Sequence, residues 1–231
     1  MTDSLLEALR LVAQFDAHLL DIVGLSLRVS LSAVVIGALI GLPIGAWLAV
    51  SRFPGRSMLL VLLNGMMGLP SVVVGVVVYL ALSRSGPLGS MGLLFSPTAM
   101  IIAQSLLVIP LIGALTRQIL DDAWTDYAAE FRVMGFTRWQ SILTLLHDCR
   151  HSLLVALLAG VGRAMSEVGA VMIVGGNIDQ VTRVMTTAIA LETSKGDLPL
   201  AIALGIVLLL VVLALNAVAF AVRRWAMRRF A

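Results

Sequence analysis

The chain has 231 residues, 60% hydrophobic and 13% charged, with a mean hydropathy of +1.03 and a formal net charge of +3. Soluble domains are roughly a quarter charged, so this composition excludes a soluble globular protein and defines one membrane domain over residues 1–231. The charge is too small and too dispersed for nucleic-acid binding, and one cysteine with three scattered histidines excludes a disulfide framework and gives no metal-ligand spacing.

Apolar runs of about 20 residues without strict alternation predict helices, not a β-barrel. Residues 1–23 are amphipathic, with Leu5, Leu6, Leu9, Val12 and Ala13 on one helical face. That run is too broken to span, so the segment is expected to lie on the membrane surface or on its own bundle. The first span is expected from about Leu25 to Val50. Gly37, Gly41 and Gly45 repeat on one face of it, a stripe that lets a neighbouring helix approach closely, and Pro43 can kink it. A basic turn, Ser51 to Arg56, leads to a second span at about Ser57–Leu82. Its Asn64-Gly-x-x-Gly-x-Pro70 stretch predicts a broken helix buried in protein or lining a path; a packing kink is the alternative. The third span is expected at about Thr98–Leu120, with Gln104 and Pro110 inside it.

Residues 121–150 hold five of the thirteen acidic residues between long apolar runs. The pattern predicts two short helices around a turn. Asp121, Asp122 and Thr125 supply acidic and capping chemistry at a helix start. Tyr127, Phe131 and Met134 share one face, Gly135 is the residue type that stops a helix, and Thr137 with Gln140 fits a capping box. Such a helix-glycine-helix segment at a membrane surface suits docking of a soluble partner; an ordinary amphipathic loop is the alternative.

The fourth span, about Ser152–Val174, carries Arg163 and Glu167 four residues apart, close enough to pair on one helix face. Either alone at mid-bilayer costs about 3 kcal/mol, so the two are expected to face a bundle interior or a wet path, as a gate, a helix clamp or both. Gly175, Gly176 and Asn177 then break the helix, and a short amphipathic helix follows with Thr182, Thr186 and Thr187. Hydroxyls and backbone N–H groups near such a break suit an oxyanion; polar caps at a helix end are the alternative. The fifth span is expected at about Pro199–Val222. Ten arginines, including four in the tail, fall on the side of residues 121–150, against four basic residues opposite. This bias predicts a cytoplasmic loop and C-terminus and an external N-terminus.

Three features together resemble the permease subunit of binding-protein-dependent ABC importers. Ala128-Ala129-Glu130 followed by Gly135 resembles that family's Glu-Ala-Ala-x-x-x-Gly loop. Gly162-Arg163-Ala-Met-Ser-Glu167-Val-Gly169-Ala is similar to a segment of molybdate and sulfate permeases, and the run from Gly175 through Asp197 resembles tungstate-type permeases. The likeness covers nearly the whole chain. With Gly135 aligned to the motif glycine, the motif's Glu falls on Ala129 and its closing Leu-Pro on His147-Asp148. Docking is therefore expected through the Tyr127/Phe131 face with Gly135 and Phe136 more than through one salt bridge.

The resemblance implies an all-α membrane protein of about five transmembrane helices with a cytoplasmic coupling-helix loop, the type I ABC importer permease fold, in a bacterial or archaeal cytoplasmic membrane. It implies ATP-driven import of a tetrahedral oxyanion by alternating access, tungstate first, with molybdate or sulfate as alternatives. Coupling would fall to Tyr127, Ala128, Ala129, Glu130, Phe131, Gly135 and Phe136. The path or gate would use Arg163, Glu167, Gly169, Gly175, Gly176, Asn177, Thr182, Thr186 and Thr187. No G-x-x-x-x-G-K-[ST] occurs, so this chain is expected to be no enzyme and to bind no cofactor or metal. ATP and Mg would be used by two copies of an ATPase subunit. An extracytoplasmic oxyanion-binding protein and a second copy of this chain complete the expected assembly, since five spans leave little interior for a pathway. An ATP-independent channel or secondary transporter is the rival of another class and would need no docking loop. An intramembrane hydrolase would need a base that the spans lack beside Ser166.

Overall fold

The computed structural model describes residues 17–230, and among these every regular element is helical. Helix α1 spans Ala17–Val50, α2 Arg56–Met67, α3 Ser71–Leu82, α4 Pro97–Val133 and α5 Arg138–Asp148. They are followed by α6 Arg150–Met165, α7 Gly169–Gly175, α8 Met185–Lys195 and α9 Leu198–Phe230. Parts of α1, α4 and α9 are long and apolar enough to cross a membrane. Two interrupted pairs, α2 with α3 and α5 with α6, bring the number to five if each pair is one span. Most of the expected amphipathic segment, residues 1–16, lies outside the described residues, while its last part belongs to α1.

The chain divides into two compact units. One takes the residues up to Ala33, Pro70–Gln104 and Ala164–Val218. Its core is small and aliphatic, with Val74, Val78, Met100, Ala103, Val171, Val174 and Leu204 buried. Two glycines let α3 and α7 come together. A Cβ on Gly75 would lie 2.8 Å from the Ala170 Cα, and one on Gly169 would lie 2.8 Å from Val72 Cγ2. The loop after α3 is tied down by Leu88 N–H to the Ala81 carbonyl (2.9 Å) and Phe95 N–H to the Val174 carbonyl (3.0 Å).

The other unit takes Val34–Leu69, Ser105–Arg163 and the residues from Ala219. The glycine stripe of α1 meets α4 here. A Cβ on Gly37 would lie 2.7 Å from Val108, one on Gly41 would lie 2.9 Å from the Ile109 carbonyl oxygen, and Gly45 faces the Gly113 carbonyl. The backbones approach because no side chain stands between them. Helix α1 continues past Pro43 and α4 past Pro110, although neither proline can donate the backbone N–H of its position.

Two expectations are corrected. Residues 121–133 are not a separate short helix: α4 runs unbroken through Asp121 and Thr125, and the Thr125 hydroxyl donates to the Asp121 carbonyl (2.9 Å), the bond of a helix interior. The fourth span is not one helix either. α6 stops at Met165 and α7 starts at Gly169, which puts Arg163 in the last turn of α6 and Glu167 in the break.

Candidate functional site

The loop at the end of α4 is built by two local signals. Gly135 has φ +69°, its N–H donates to the Arg132 carbonyl (3.2 Å), and Phe136 N–H donates to the Phe131 carbonyl (2.9 Å). This closure takes up the last orphan carbonyls of α4. Thr137 then caps α5. Its hydroxyl accepts from Gln140 N–H (3.3 Å), and Thr137 N–H donates back to Gln140 Oε1 (2.8 Å).

Phe131 anchors the loop from within. It is 7% exposed and packs with Ala46, Ala49, Val50, Leu120, Ile142 and Leu145. It stacks on Phe136 at 5.2 Å, with Tyr127 and Trp124 at 6.2 and 6.0 Å. Asp121 fixes the other flank. It accepts from Arg56 (2.9 Å) and Arg117 (3.3 Å), with Arg52 at 3.9 Å. Arg56 also donates to the Leu48 carbonyl (2.9 Å), so the turn after α1 is locked to α4.

Of the expected coupling residues, Ala129 and Glu130 are exposed, Tyr127 and Phe136 are partly so, Ala128 is half-buried and Phe131 is internal. The sequence reading left out the apolar groups that stand furthest into solvent here: Val133 at 90%, Met134 at 65% and Trp139 at 64% exposure. Met134 already shared the periodic face of Tyr127 and Phe131. Beside them Arg52, Arg132, Arg138, Trp124, Thr125 and Ala128 line a basic hollow of about 440 Å3. Its guanidinium groups suit carboxylate partners.

The expected path residues lie around the breaks after α6 and α7. Arg163 is half-buried in the last turn of α6. Glu167 is 3% exposed. Its Oε1 accepts from Ala170 N–H (3.0 Å) and so caps α7, and its carbonyl accepts from the Thr186 hydroxyl (2.8 Å). A Cβ on Gly175 would meet Met100 at 3.0 Å. Gly176 (φ +70°) and Asn177 (φ +50°) make the turn, with Asn177 Nδ2 donating to the Thr187 carbonyl (3.4 Å).

The three threonines differ in what they do. The fully buried Thr182 hydroxyl donates to the Gly175 carbonyl (2.5 Å) and accepts from Ile178 N–H (2.9 Å), closing the turn on itself. The Thr187 hydroxyl accepts from Val184 N–H (3.1 Å) and donates to the Val184 carbonyl (3.0 Å). Thr186 lines a cavity of about 10 Å3 with Ser26, Ser30, Gln104 and Met185, room for about one water. Gln104 is 2% exposed and donates to the Ala164 carbonyl (3.0 Å), while its Oε1 meets no donor among the described residues. Ser26 accepts from Met185 N–H (2.7 Å). Ser26 and Ser30 were not singled out in the sequence because serines on a spanning helix carry no periodic signal.

Spans interrupted at glycines, with a basic helix-glycine-helix loop between two of them, are features of a transport permease. The chain belongs to the family described as binding-protein-dependent transport system inner membrane component, whose model matches residues 41–231. It has the all-α type I ABC importer permease fold. It is 43% identical over 216 residues to the tungstate uptake system permease protein TupB of Peptoclostridium acidaminophilum, covering 94% of this chain and 95% of that one. It is 42% identical over 205 residues to a probable anion ABC transporter permease protein of Haloferax volcanii, covering 87% and 88% of the two chains. With the TupB of Campylobacter jejuni it shares 37% identity over 155 residues, 67% of this chain and 65% of that one.

Proposed function

We propose that this chain is the membrane-spanning subunit of an ATP-driven importer for a tetrahedral oxyanion, tungstate before molybdate or sulfate. The observation that carries this reading is 43% identity to a tungstate permease over 94% of the chain. Two copies form the pathway at their interface. The external binding protein delivers the anion on the N-terminal side, and two copies of a separate ATPase, using ATP and Mg, seat on the cytoplasmic loops. The loop's rigidity supports that role: Gly135, the Phe131 anchor and the Asp121 cluster make it move as one piece with α4. Closure of the ATPases draws the paired loops together and opens the outer side, and hydrolysis reverses this.

The breaks at Gly68–Pro70, Ser166–Val168 and Gly176–Val184 are where the path changes shape, with Arg163, Glu167, Gly169 and Thr186 beside it. A cavity the size of one water cannot hold an oxyanion, so passage requires the elements around Gln104 and Thr186 to part. The test is uptake by proteoliposomes containing the chain, its ATPase and the binding protein. Tungstate should accumulate only with ATP, and molybdate and sulfate less. Accumulation without ATP, or none of tungstate, would overturn the reading.

A further inference from the structure

A second feature of the unit that carries the loop is a groove of about 510 Å3 between α1 and α6. Its walls are Leu39 and Leu42 of α1 and Leu153, Leu154 and Leu157 of α6, with Leu146 of α5 closing one end. Among the described residues, Arg150 is the charged group that lines it. We infer that this groove holds one anionic phospholipid of the surrounding membrane, with its phosphate on Arg150 and an acyl chain along the leucines.

The spacing supports an amphiphile. Arg150, Leu153, Leu154 and Leu157 recur at i, i+3, i+4 and i+7, so they form one stripe with the charge at its end. Arg150 to Leu157 spans about 10 Å of helix, within the roughly 15 Å of hydrocarbon in one leaflet. Arg150 begins α6 one residue, Cys149, after the exposed polar pair His147 and Asp148, so the charge stands at the edge of the apolar run. A guanidinium carries five donors in a planar fork. The bond from Arg150 to the His147 carbonyl (2.8 Å) is one of its contacts within the chain and holds the group beside the groove that it lines. A ligand with one anion at its end and hydrocarbon behind it matches this lining. A helix of a second copy would have to bring a carboxylate to the same point.

Native mass spectrometry of the full-length chain in detergent tests this, with phosphatidylglycerol and phosphatidylcholine of identical acyl chains as probes. Wild type should retain one phosphatidylglycerol per chain in preference to phosphatidylcholine. Arg150→Gln should lower that occupancy about tenfold or more, Arg150→Lys should restore part of it, and Leu154→Trp, which fills the groove, should lower it as far as Arg150→Gln. Equal retention of both lipids, or an unchanged Leu154→Trp, would overturn the assignment. The same holds if Leu154→Cys, in a Cys149→Ala background whose helical circular dichroism is unchanged, forms a disulfide between two copies, which would give the groove to the dimer.

Discussion

Thr182, Thr186 and Thr187 are one residue type within six positions, yet they meet different demands. The Thr182 hydroxyl donates to the buried Gly175 carbonyl and accepts from the Ile178 N–H, so removing it takes two bonds from the turn at once. Thr182→Val should cost at least about 2 kcal/mol, read as a lowered unfolding temperature in detergent, and Thr182→Ser should recover most of it. Thr186→Val removes one bond, to the Glu167 carbonyl, and should cost about 1 kcal/mol. Equal losses in the two valine variants would mean that the turn is not held by Thr182. In sequence the three threonines read alike as polar groups near a glycine break. Only the turn at Gly176 and Asn177 aims Thr182 back at its own segment, and that turn is set by tertiary packing on Phe95 and Met100.

At the scale of elements, what could be read was what is periodic or locally capped. The stripe of Gly37, Gly41 and Gly45 and the capping box at Thr137 are such signals, and both are present. Asp121 shows the opposite case. It reads as a helix-start residue, but its carboxylate is taken by Arg56, 65 positions away, and by Arg52 and Arg117. The helix therefore runs on past it, and no local pattern reports a partner so distant. The break after Met165 did have a signal, Glu167 three residues before Ala170, which the pairing with Arg163 obscured. The stripe is testable. Gly45→Ala drives a Cβ into the Gly113 carbonyl, where no side chain can yield, and should cost about 1–3 kcal/mol. Gly24→Ala on the same helix meets nothing within 4 Å and should be neutral or stabilising by up to about 1 kcal/mol. Thermal unfolding of the pair in one detergent measures both.

For the molecule as a whole, the question is which side of the loop faces inward and which faces a partner. The sequence reading placed Phe131 and Met134 on one helical face and took Tyr127 and Phe131 from it for docking. The structure separates them: Phe131 is in the core of its own unit, whereas Val133, Met134 and Trp139 stand in solvent beside the hollow lined by Arg52, Arg132 and Arg138. An exposed apolar patch rimmed by charge is the form of an interaction site. Two substitutions should therefore fail differently. Phe131→Ala opens a cavity among Ala49, Leu120 and Leu145 and should cost about 3–5 kcal/mol, lowering the unfolding temperature of the isolated chain. Met134→Glu meets only solvent, so the isolated chain should keep its stability within about 0.5 kcal/mol. That variant should nonetheless lose co-purification with the ATPase and ATP-dependent uptake together, because a carboxylate would be buried in an apolar contact. A Met134→Glu chain that still holds its ATPase and transports would remove this face from the coupling surface and leave the basic hollow as the contact to examine.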